Sequence, residues 1–152
     1  DDPLGFTFID DKQRLARDLL EVRVMIEPQI ARMAAEHATN DQVACIKELC
    51  DESERLAEAG EDYSAADTAF HNAIAESSGN LVVPRLMGVL KASVPLFIDV
   101  TGKKIVEETI RTHRDVADAI ASRNPTAAHD AMYLHLVYNR NMIAEGAQEQ
   151  SE

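Results

Sequence analysis

Apolar residues in this chain recur at three- and four-residue steps, segment after segment, and no stretch alternates with the two-residue period of a strand. In the first stretch, about residues 10–38, Leu15, Leu19, Val22, Ile26, Ile30, Met33 and Ala34 trace one such stripe. A chain patterned this way is committed to helices that bury their stripes against one another. With no Trp, three Tyr and four Phe in 152 residues, the core must come mainly from Leu, Ile, Val, Ala and Met. That palette favours helix over sheet.

The breaks between stripes carry helix-ending and helix-starting chemistry. Pro28 falls inside the first stretch and is expected to kink or split it near Glu27. Thr39-Asn40-Asp41-Gln42 supplies a capping sequence for a second helix, which carries Val43, Ile46, Leu49, Cys50 and Leu56 before Gly60 ends it. A third, about 62–78, contains Asp67, Phe70, His71 and Ile74, and Ser77-Ser78-Gly79-Asn80 stops it. In a fourth, about 81–100, Pro84 suits the first turn and Pro95 should bend or divide the helix. A fifth runs from after Gly102 to about Ser122. Asn124-Pro125 then caps and starts a sixth, reaching about Ala144 and leaving residues 146–152 as a frayed polar tail. The reading is one all-α domain over residues 1–152, an antiparallel bundle of six to seven helices.

Charge and cysteines narrow the function. A net charge of −12, with no basic cluster denser than Lys103-Lys104, argues against this chain gripping phosphates itself. Cys45 and Cys50, five apart on one helix, are too far round to pair and stand at no metal-site spacing. They read as reduced thiols of a cytoplasmic protein, with Cys45 the expected core residue. No apolar run approaches the roughly 20 residues that span a bilayer, so no membrane role is expected. The start, Asp1-Asp2-Pro3-Leu4-Gly5, has neither a basic head nor an apolar core, so it is no signal peptide and reads as a cut inside a longer protein.

Four metal-competent side chains stand out. Asp67 and His71, four apart, share one helix face. His113 lies ten residues before the Arg123-Asn124 turn and His135 eleven after it. At ~1.5 Å rise per residue, both sit about 15 Å from the turn, level across an antiparallel hairpin. Ile110, Val116, Ala117 and Ile120 share the His113 stripe, while Met132, Leu136 and Ile143 share that of His135. One carboxylate and three imidazoles meeting inside a bundle would bind a divalent transition metal. On spacing alone, hydrogen-bonded core histidines are the commoner account. His37 and His129 sit in polar or helix-end settings and are expected to be exposed.

The alternatives are a bundle metalloenzyme and a metal-free interaction module. A di-metal carboxylate enzyme needs paired Glu-x-x-His motifs, and none exists: Glu108 lies five before His113. A hydrolytic zinc site needs a general base beside an open ligand, and no residue nominates itself.

Leu20-Glu21-Val22-Arg23-Val24-Met25-Ile26-Glu27-Pro28 followed by Ala34-Ala35-Glu36 resembles the opening of the FadR C-terminal (FCD) domain. Asp67-Thr68-Ala69-Phe70-His71, Ser78-Gly79-Asn80, His113-Arg114 with Ala119-Ile120, and Ala127-Ala128 through Met132 to His135-Leu136 follow in that family's order. The family is the effector-sensing half of a large branch of GntR transcriptional regulators. The resemblance implies a ligand-sensing, dimerising domain whose partner is a small carboxylate. DNA would be met only through an N-terminal winged helix outside this chain. It further implies that Asp67, His71, His113 and His135 hold a divalent transition metal, Zn first, with Ni, Mn or Fe also suited to such N/O donors. Thr112 departs from the Glu that many members place before the histidine. Arg23 is the candidate for an effector carboxylate, against a plain ion pair with Glu27. Asn139 is the candidate amide, against a surface position, and Asn80 reads as a cap.

Overall fold

The computed structural model describes residues 2–91, 94–96 and 106–149. A short 3-10 turn, Phe6–Phe8, precedes six helices: α1 (Lys12–His37), α2 (Asn40–Glu58), α3 (Ser64–Glu76), α4 (Val83–Leu90), α5 (Val106–Ala121) and α6 (Pro125–Glu149). Among the described residues there is no strand. The all-α bundle expected from the stripes is the architecture observed.

Local chemistry sets the boundaries. Asp11 accepts from the Arg14 N–H at the start of α1, and Thr39 and Gln42 form a reciprocal capping box at the start of α2. α2 ends in a Schellman motif: the Glu61 N–H reaches the Leu56 carbonyl, the Gly60 N–H reaches Ala57, and Gly60 takes φ +71°. Asn80 Oδ1 accepts from the N–H groups of Val82 and Val83 ahead of α4, the capping role expected of it. Asn124 Oδ1 does the same for Ala127 as Pro125 opens α6.

α1 packs chiefly on α6 and also on α5, α3 and α4; α5 lies along α6, and α2 lies between α3 and α5. Phe70, Ile74, Ile46, Leu20, Val116, Ile120, Met132 and Leu136 form the fully buried centre.

Five expectations need correction. α1 runs unbroken through Pro28, which is buried, so of the expected kink or split the split does not occur. Its inward stripe passes through Leu19, Leu20, Arg23, Glu27, Ile30 and Ala31, whereas Val22 is exposed. Cys50, not Cys45, is the core thiol, because it stands four residues after Ile46 and Cys45 turns outward; both are free. α6 continues past Gly146 to Glu149, so the helix does not stop near Ala144. His37 is exposed as expected, while the His129 side chain is only 25% exposed. The fourth stretch is divided, since α4 ends at Leu90 and helix resumes at 94–96 with Pro95 inside that turn. Gly102 and Lys103-Lys104 lie outside the described residues.

Candidate metal centre

α3 presents Asp67 and His71, α5 presents His113, α6 presents His135, and all four side chains are buried. The three imidazoles each turn a ring nitrogen inward so that these atoms lie within 4.8 Å of one another. The His113 and His135 ring centroids are 4.5 Å apart, the levelling expected from a hairpin. Phe70 walls the cluster, its ring 4.8 Å from His113 and 5.5 Å from His71.

Asp67 Oδ1 stands 3.0 Å from His113 Nε2 and 3.3 Å from His71 Nε2. Asp67 Oδ1 and His113 Nε2 are nevertheless buried atoms without a hydrogen-bond partner. Two polar atoms this close and both sealed from water, with no hydrogen bond of good geometry to either, are costly unless a further proton or cation satisfies them. A cation bound by both would do so. The donor set therefore fits a divalent metal on the protein's own geometry.

The outer atoms of the ligand candidates are also occupied. His71 Nδ1 lies 2.6 Å from Glu27 Oε1, and Glu27 Oε2 accepts from Arg23 Nε one turn earlier on α1. His135 Nδ1 lies 2.7 Å from Thr112 Oγ1. The Thr112 hydroxyl gives its single proton to the Glu108 carbonyl at 2.8 Å, so its oxygen accepts from His135 Nδ1–H. That leaves the lone pair of His135 on Nε2. Thr112, the departure from the family pattern, thus supplies a partner to a neighbouring histidine.

Charges follow from these contacts. Burial alone would raise the Glu27 carboxyl, but the Arg23 guanidinium and His71 outweigh it and hold it at about 2. Burial likewise opposes ionisation of Asp67, and His113 and His71 hold it well below the carboxylate range. His71 loses from burial but gains more from Glu27, with Arg23 opposing, and ends above the usual imidazole value. His135 is pushed far below it by burial, with the neighbouring His113 and His71 adding to the effect.

Arg23 is 3% exposed and ion-paired with Glu27, while its Nη2 lies 3.2 Å from His71 Nε2. A narrow cleft bordered by Arg23, Thr68, His71, Asn72, Met87 and Leu90 runs beside it. Asn139 is buried rather than at the surface, and its Oδ1 has no partner; Thr109 Oγ1, one turn before His113, is likewise buried and unpartnered. Glu27, Thr112 and Thr109 were not singled out as site residues from sequence. The inward stripe through Arg23 and Glu27, four apart, was the available signal, hidden by the apolar stripe drawn through Val22 and Ile26.

A family model described as the FCD domain matches residues 18–138. The galactonate operon transcriptional repressor of Escherichia coli (strain K12) is 30% identical over 139 residues, covering 90% of this chain and 61% of its own length. The HTH-type transcriptional repressor NanR of Salmonella newport (strain SL254) is 26% identical over 151 residues, covering 88% of this chain and 57% of its own. Among solved structures, Streptococcus agalactiae GntR superimposes with a TM-score of 0.83 at 35% identity, covering 93% of this chain and 65% of that one. E. coli McbR/YncC shares the fold at 17% identity, with a TM-score of 0.67 over 97% of this chain and 68% of that one. The chain thus spans well under two thirds of the length of these curated relatives, which are transcriptional regulators and not enzymes.

Proposed function

Because the chain belongs to the FCD domain family of GntR-type transcriptional regulators, we propose that it senses a small organic acid at a metal ion held by Asp67, His71, His113 and His135. The observation that carries this reading is the pair of close, buried and unpartnered atoms, Asp67 Oδ1 and His113 Nε2, among three converging imidazoles. Neutral imidazoles with a carboxylate suit Zn²⁺ first, with Ni²⁺, Mn²⁺ or Fe²⁺ as alternatives, and no thiolate approaches the group to select among them.

Charge balance supports an anionic effector. With the histidines neutral, the buried Glu27 and Asp67 carboxylates against the single Arg23 guanidinium leave one negative charge. A divalent cation reverses this to one positive charge in a low-dielectric interior, where a small carboxylate is attracted. Arg23 and Asn139 are the effector contacts we assign: the guanidinium is a buried cation beside His71, and the Asn139 amide is buried with an unpartnered oxygen. One relative is named for a galactonate operon, and galactonate is such an acid. In the whole protein, a cytoplasmic homodimer, effector binding would bias the bundle between two packings and pass that bias to an N-terminal winged helix on DNA. Only an effector that binds one packing better than the other can do this.

The test is metal content followed by thermal scanning of the metal-free and zinc-loaded protein against a panel of organic acids. We expect tight zinc binding, lost in His135→Ala, and at least one carboxylate that raises the Tm of the loaded form only. A wild-type protein that takes up no zinc, or a His135→Ala variant indistinguishable from it, overturns the reading.

A further inference from the structure

We propose that Glu27 is a positioning residue for the metal centre, and that through it α1, which supplies no metal ligand, is tied to occupancy of the site. The inference rests on the metal-sensing reading above.

Both oxygens of Glu27 are committed. Oε1 lies 2.6 Å from His71 Nδ1, and Oε2 accepts from Arg23 Nε. The Arg23 and Glu27 side chains are each 3% exposed. An Arg–Glu pair four apart on a helix gains little from being buried, because desolvating two charges offsets their attraction. On the solvent face the same pair would be worth little in either direction, without the loss of solvation. Here it is turned inward and ends on an imidazole, and a role for that imidazole accounts for the placement.

The chemistry of that role is specific. A carboxylate accepting from Nδ1–H fixes the tautomer, leaves the lone pair on Nε2, and makes Nε2 a more basic donor. His71 Nε2 is the atom that faces Asp67 Oδ1 at 3.3 Å. The neutral counterpart is Thr112, whose hydroxyl holds His135 Nδ1 at 2.7 Å. Two of the three imidazoles are thus oriented from outside the cluster, one by an anion from α1 and one by a hydroxyl from α5. A cation held by His71 would polarise the ring and make Nδ1–H a stronger donor, which would tighten its bond to Glu27. α1 packs chiefly on α6, which carries His135, so α1 is joined to two of the helices that supply the site, α3 through this bond and α6 through packing.

Glu27→Gln keeps an acceptor for Nδ1–H but removes its charge; Glu27→Asp keeps the charge but shortens the reach. Zinc affinity by chelator competition, the ligand-field spectrum of the Co²⁺-loaded protein, and amide exchange across α1 are measured on wild type and both variants. Outer partners of this kind are worth about 10–100-fold in metal affinity. We expect Glu27→Gln to weaken zinc by that factor and shift the Co²⁺ bands. In the wild type α1 exchange should slow on metal loading, and in the variant this slowing should be lost. If Glu27→Gln does not fold, Glu27→Asp carries the same expectation. A purely structural Glu27 would lower the metal-free Tm yet leave zinc affinity, the Co²⁺ spectrum and the metal-dependent exchange as in wild type, and that result overturns the inference. Zinc binding by wild type separates its failure from that of the sensor reading, since a wild type without metal affinity overturns both.

Discussion

Glu27 and Asp67 remain ionised in an interior that would ordinarily protonate them, and this makes stability pH-dependent in a defined direction. For Glu27, burial raises the carboxyl, but Arg23 and His71 bring it from 4.5 to about 2. A depressed carboxylate contributes stability that is fully present above its unfolded value and is lost as pH falls through the folded one. Denaturant midpoints should therefore drop between about pH 4.5 and 2, with Glu27 supplying on the order of 3 kcal/mol. Glu27→Gln should flatten part of that slope, and an unchanged slope would remove Glu27 as its source. His135, pushed below 6.5 chiefly by burial, adds a loss of stability as pH falls below that value. His71, which Glu27 raises against the effect of burial, has the opposite sign: its contribution is present below 6.5 and fades as pH climbs through its raised value. Metal binding needs the lone pair of His71, so protons compete from above 6.5, and zinc affinity should weaken on acidification through neutrality. The four metal-competent residues were legible because spacing and hairpin arithmetic are properties of helices. Glu27 and Thr112 were not, because burying a charge or a hydroxyl depends on what the facing helices present.

The α5–α6 hairpin is the element that brings His113 level with His135, and its turn shows where sequence rules stop. Asn124 and Pro125 announced the start of α6, but nothing announced that Arg123 would take φ +55°. The Asn124 N–H reaches the Ala119 carbonyl and the Arg123 N–H reaches Ile120, a Schellman motif with arginine where glycine is usual. Arg123 donates through Nη1 to the Ala38 carbonyl and through Nη2 to Asn40 Oδ1 at 3.1 Å, so the strained residue also ties the hairpin to the α1–α2 junction. Arg123→Ala removes both bonds and keeps the strain, whereas Arg123→Gly removes both bonds and relieves it. Urea unfolding should find the alanine variant less stable by about 1 kcal/mol; equal stabilities would mean the turn carries no backbone strain. Pro28 teaches the converse lesson. Its ring and missing N–H predict a kink or a split, and α1 is not split: the helix continues through Pro28, which is buried. Capping signals at Thr39 and Gly60 read through unchanged, since a cap involves only its own few residues.

At the scale of the whole molecule, an exterior dominated by acidic groups encloses a centre whose sign depends on a cation. The chain carries −12 overall, which discourages anions from approaching its surface unselectively. Inside, two buried carboxylates face one guanidinium and a His71 that Glu27 biases toward protonation, so the metal-free centre offers a carboxylate no net positive charge, whereas the loaded centre, with its histidines neutral, does. The two ligands are then coupled, and coupling of binding free energies is reciprocal. If zinc strengthens binding of an organic acid by some factor, the acid must strengthen zinc by the same factor. Calorimetric titration of the acid with and without zinc, and of zinc with and without saturating acid, closes the cycle. We expect a coupling of at least about 10-fold, or roughly 1.4 kcal/mol, in the lower part of the range typical of allosteric pairs. Glu27→Gln makes the metal-free and the loaded centre each one charge more positive, so acid binding should strengthen in both while the coupling factor stays close to that of wild type. An acid that binds equally well with and without zinc would show that it docks away from the histidines, whatever the metal does.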